Sequence, residues 1–77
     1  MIVYHVTSAA KLARYKKTGF IVPPVRAWES ITHAERMSVR SGRRIIVRLR
    51  FPATASKLAG HYNAARVSHQ PIDARHF

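Results

Sequence analysis

Arg43-Arg44-Ile45-Ile46-Val47-Arg48-Leu49-Arg50-Phe51 alternates along its length. Ile45, Val47, Leu49 and Phe51 share one parity; Arg44, Ile46, Arg48 and Arg50 share the other. A period of two is that of a strand with one face in a core and the other in water. Same-face neighbours such as Arg48 and Arg50 then stand about 7 Å apart. Pro52 ends the strand because it has no N–H to give to a ladder.

The residues before this strand read as a helix. Ser30 or Thr32 supplies its N-cap, it runs to about Arg40, and Ser41-Gly42 ends it. Ile31, Ala34 and Met37 form its apolar stripe, with His33, Arg36 and Arg40 on a neighbouring face. Further upstream, Val25 to Glu29 reads as a loop carrying the only Trp, and Pro23-Pro24 stops a short strand at Phe20-Ile21-Val22. Ile2 to Thr7 has apolar residues on both parities, which predicts a strand covered on both faces. Ser8 caps a first helix from Ala9 to about Lys17, and Gly19 suits the position past its end. Lys11, Arg14 and Lys17 line one side of it. After Pro52, residues 53 to 60 read as a loop or short helical turn. Tyr62 to His69 reads as a strand, and Pro71-Ile72 opens a short final segment. The expectation is one α/β (α+β) domain over residues 1–77. It has a mixed or mainly antiparallel sheet of four to five short strands and two helices.

Composition bounds the function classes. Fourteen Lys and Arg face three Asp and Glu, a formal net charge of +11. Hydrophobic residues make up 47% of the chain, enough for a core rather than a disordered basic tail. A domain of this size has a small core and marginal stability, so salt or a bound polyanion should stabilise it. No cysteine is present, which excludes disulfides and thiolate metal sites and fits a reducing, cytoplasmic setting. No apolar run is long enough to span a membrane, and Met1-Ile2-Val3-Tyr4-His5 reads as a strand rather than a signal peptide.

Such a charge balance selects polyanions as partners, nucleic acid first. Arg44, Arg48 and Arg50 are the leading phosphate contacts, helped by Lys11, Arg14, Lys17, Arg36 and Arg40. The ten arginines against four lysines favour bidentate phosphate recognition. The alternative use of such a strand is a solvated face with arginines guarding an edge. Tyr15, Trp28 and Tyr62 lie between the basic clusters, where bases can stack or a core can be filled. An acidic protein surface is a further partner class. The five histidines lack the spacing of a zinc site, so no metal is expected. With only Glu29, Glu35 and Asp73, paired-carboxylate acid–base chemistry has almost no material.

Tyr4-His5-Val6-Thr7-Ser8, then Leu12, then Gly19-Phe20-Ile21-Val22-Pro23 resembles the opening of compact ADP-ribosyltransferase-like domains. These include DarT-type toxins and the tRNA 2′-phosphotransferases. Ala34 to Gly42 leading into Arg43–Phe51, and the end from Val67 to Phe77, are similar to later parts of the same domains. The resemblance implies that His5 contacts the ribose of a dinucleotide such as NAD. Transferases of that family place a catalytic Glu on a late strand. Here Asn63-Ala64-Ala65-Arg66-Val67-Ser68 has no acid. Phosphotransferase relatives use Arg and His, which this chain matches with Arg66 and His5. The charge therefore argues for non-catalytic binding of nucleic acid or a nucleotide-like phosphate ligand. A minimal enzyme with NAD as cofactor is the alternative.

Overall fold

The computed structural model describes residues 1–53, 55–57 and 65–75. The elements run β1 (Ile2–Thr7), α1 (Ala9–Thr18), β2 (Phe20–Ile21), β3 (Val25–Trp28) and α2 (Ile31–Ser41). They continue with β4 (Ile45–Arg50), β5 (Ser56–Lys57), β6 (Ala65–Ser68) and β7 (Ile72–Asp73). Five strands form one sheet in the order β4-β1-β3-β6-β5, and β2 pairs with β7 in a second sheet. Every pairing is antiparallel. The chain folds as the small α+β domain its element pattern predicts, with the two-stranded sheet added.

Both helices begin and end where their residues dictate. Ser8 Oγ accepts from the Lys11 N–H at 3.3 Å, satisfying one of the free donors of the first turn. Gly19 (φ 87°) and Gly42 (φ 73°) take the left-handed conformation that closes each helix. Lys16 and Lys17 lie in the last turn of α1, beside its negative dipole end. Ser30 holds the N-cap position of α2, but its side chain makes no capping bond.

The register sorts the sheet into two faces. Val3↔Leu49, His5↔Val47 and Thr7↔Ile45 look one way; Tyr4↔Arg48, Val6↔Ile46 and Ile2↔Arg50 look the other. On the first face Val3, Val25, Ala27, Leu49 and Phe51 pack with Ile21 of β2, Ile72 of β7 and the half-buried Tyr15 of α1. On the second, Val6, Trp28 and Ala65 pack against Ala34 and Met37 of α2, with Ile46 and Tyr4 alongside. β1 is therefore covered on both faces, as its sequence predicts. α2 joins β3 to β4 across β1, because both of those strands pair with β1 and run antiparallel to it.

Three expectations need correction, the first being a loop or helical turn over residues 53 to 60, where Ser56–Lys57 is instead β5, paired with β6. Val25–Trp28 is not a loop but the middle strand of the large sheet, with Val25, Ala27 and Trp28 buried. Val25 and Ala27 are buried on one face and Trp28 on the other, while Arg26 is exposed, so the four residues show no regular alternation. The arginine parity of β4 is also not an open outer face along its whole length. Ile46 is half-buried in the α2 core, so α2 roofs that part of the row. The expected strand over Tyr62–His69 is seen as Ala65–Ser68, with residues 62–64 outside the described residues. No helix among the described residues is long and apolar enough to cross a membrane.

Candidate functional site

Arg44, Arg48 and Arg50 are all exposed, and among the described residues none of them makes an ion pair. Arg44 precedes β4, while Arg48 and Arg50 stand on it opposite Tyr4 and Ile2 of β1. β4 is the end strand of its sheet, so these arginines belong to an edge. The C-terminal half of β4 meets the segment around Pro71 in an open groove of about 540 Å³. Arg48, Arg50 and Asp73 bring charge to its rim, and Leu49, Phe51 and Ile72 form its floor. Asp73 is already held by Arg75, with Oδ2 2.8 Å from Nη2, so its charge is compensated.

The helical rows fare differently. Arg14 and Lys17 are exposed on α1, and Lys11 is half-buried near β1. On α2, Thr32, Glu35, Arg36, Val39 and Arg40 line the open outer surface. Arg36 makes no ion pair among the described residues, whereas Arg40 is engaged in an interaction of its own. His33 is half-buried, and its Nδ1 is buried without a hydrogen-bond partner. The cations do not converge on one flat surface. They are spread over α1, α2 and the β4 edge, and both faces of the sheet carry packed elements.

His5 sits on the first face of β1, opposite Val47. Its Nδ1 lies 2.7 Å from the Arg26 carbonyl oxygen, which can only accept, so Nδ1 carries the proton. Nε2 is then the acceptor, 3.4 Å from the Tyr15 hydroxyl, which lies 3.5 Å from Thr7 Oγ1. Burial is the largest influence on the ring and disfavours its charged form; Lys11 and Arg43 act in the same direction, while the Arg26 bond opposes them. The net effect holds the His5 pKa below its ordinary 6.5. Its two ring nitrogens are thus occupied within the chain, and the imidazole is neutral at neutral pH.

Arg66, paired with His5 in the enzyme alternative, occupies β6 opposite Ala27. Its Nε donates to Glu29 Oε2 at 3.2 Å and its Nη1 to the Ala55 carbonyl at 3.1 Å. Glu29 therefore serves an ion pair. This partnership was hidden in the sequence because the two residues are far apart in the chain and β3 reads as a loop. The roles of Tyr15 and Arg43 near His5 were missed for the same kind of reason. Glu35 makes no ion pair among the described residues.

Trp28 is buried against α2, with Nε1 unpaired. Among the described residues no three His, Asp or Glu side chains gather into a metal site. His61 and His76, and the stacking candidate Tyr62, lie outside the described residues. Comparison with protein-family models, with curated proteins and with solved structures finds no match for this chain.

Proposed function

We propose that this domain binds nucleic acid or another polyphosphate without chemically altering it. One observation carries the reading. With every carboxylate counted against the fourteen Lys and Arg, a net charge of +11 remains, and Glu29 and Asp73 are already paired with Arg66 and Arg75. Arg44, Arg48 and Arg50 are the leading contacts, with Lys11, Arg14, Lys17 and Arg36 adding attraction at longer range. Such a field speeds encounter with polyanions and releases their condensed counterions on binding. Fluorescence anisotropy with labelled DNA and RNA oligonucleotides tests this. Affinity should weaken by at least about tenfold between 50 mM and 200 mM salt. Affinity that ignores salt over that range, or no binding at low salt, rejects the proposal.

The geometry of His5 favours one second reading, the minimal ADP-ribosyltransferase or phosphotransferase-like enzyme. In that reading the His5 Nε2 exchanges its long 3.4 Å bond from the Tyr15 hydroxyl for one from a nucleotide hydroxyl, while Nδ1 stays fixed on the Arg26 carbonyl. Calorimetric titration with NAD separates it from simple polyanion binding. Saturable heat that disappears in His5→Ala supports the enzyme, and no heat at millimolar NAD removes it.

A further inference from the structure

We infer that the edge of β4 is a binding groove for a single, unpaired nucleic-acid strand rather than for a duplex. This deepens the polyanion reading and rests on it. Both faces of the large sheet are roofed, one by α2 and the other by α1 with the β2–β7 pair. Neither face offers a broad basic surface to a double helix. The edge is different. β4 pairs with β1 on one side only, and among the described residues no strand pairs with its other side. Half the backbone N–H groups of such a strand face outward, and a sheet edge with free N–H groups is an anion-binding feature.

The groove beside this edge combines two chemistries. Arg48 and Arg50, exposed and without ion pairs among the described residues, stand two residues apart on its rim, about 7 Å by strand geometry. Leu49, Phe51 and Ile72 lie buried beneath the groove, and the half-buried Pro52 and the exposed Pro71 present its apolar surface. A duplex shows phosphates but hides the faces of its bases. An unpaired strand shows both, and apolar or aromatic surface beside a cationic track is how proteins hold one. At about 540 Å³ the groove has room for a short stretch of one strand. An acidic peptide added to β4 as an extra strand would also meet the arginines, but it gives the apolar surface no matching planar group.

The test compares single-stranded and duplex oligonucleotides of equal length, with three proteins: the parent, Arg48→Ala/Arg50→Ala, and Lys16→Ala/Lys57→Ala as a charge-matched control. Lys16 and Lys57 are exposed and neither lines the groove, and Lys57 is on the opposite edge strand. The parent should prefer the single strand. The double arginine variant should lose about tenfold or more on it, and the lysine variant about threefold or less. All three should show similar melting temperatures, since only exposed side chains change. Equal or tighter duplex binding overturns the inference while leaving polyanion binding intact. So does a larger loss in the lysine variant. Displacement of the strand by a poly-glutamate peptide of equal charge at equal concentration overturns it in favour of a peptide. No binding to any oligonucleotide would fail the polyanion reading itself.

Discussion

The two faces of the five-stranded sheet are built to different standards. Among the described residues, the cluster under α1 and the β2–β7 pair holds nine buried apolar residues, Val3, Val25, Leu49 and Phe51 among them. The face under α2 carries four, Val6, Trp28, Ala34 and Ala65, and includes the unpaired Trp28 Nε1. The first face is where the chain gains most of its hydrophobic stabilisation. The second is thinner, and its sheet edge ends in arginines rather than in apolar side chains. The contrast shows how a small, highly charged domain can fold. It concentrates burial on one side of the sheet and places uncompensated charge along the edge, where water screens it.

Cutting into the first face should hurt more than cutting into the second. Phe51→Ala, at a side chain only 2% exposed, should cost about 3–5 kcal/mol. Met37→Ala, half-buried under α2, should cost about 2 kcal/mol, at the low end for such truncations. Urea denaturation of both variants measures the difference; equal losses would erase the distinction between the faces.

A pH titration of stability probes the polar group on the first face. The folded chain holds His5 below its ordinary 6.5, so below that pH the unfolded chain binds the extra proton first. The contribution of His5 is therefore complete above 6.5 and is lost as pH falls through its lowered folded value. Melting temperature should drop on acidification in the parent, and His5→Gln should drop less between pH 7 and pH 5. An identical slope in both would remove His5 from the account.

The smallest effect is expected on the second face. Trp28→Phe loses ring volume but also removes a buried N–H that has no partner. The two changes oppose each other, and the net shift should stay within about 1 kcal/mol by thermal melting. A loss like that of Phe51→Ala would mean that the indole anchors this face.

The local elements were legible because their signals are local. Ser8 and the two glycines mark helix ends, and the Arg43–Phe51 alternation marks β4. β3 was not legible. Four residues between Pro24 and Glu29, with Val25, Ala27 and Trp28 buried and Arg26 exposed, are too few to show a period. Missing β3 concealed two things. One was the Glu29–Arg66 pair, which depends on β3 and β6 being neighbours. The other was the hydrogen bond that fixes the His5 tautomer, whose acceptor is the backbone of Arg26. The arginines themselves were plain in the sequence. That α2 covers Ile46, leaving them as an edge rather than an open face, follows from tertiary packing that period-two alternation does not encode.

The most direct measurement is the slope of log affinity against log salt concentration for a single-stranded oligonucleotide. The parent and the Arg48→Ala/Arg50→Ala variant are compared. Each phosphate contact on a single strand contributes about 0.7 to the slope, so losing two should make it shallower by about 1.4. That result would place the arginines of β4 on phosphates. Two parallel lines, with the variant as salt-sensitive as the parent, would contradict it.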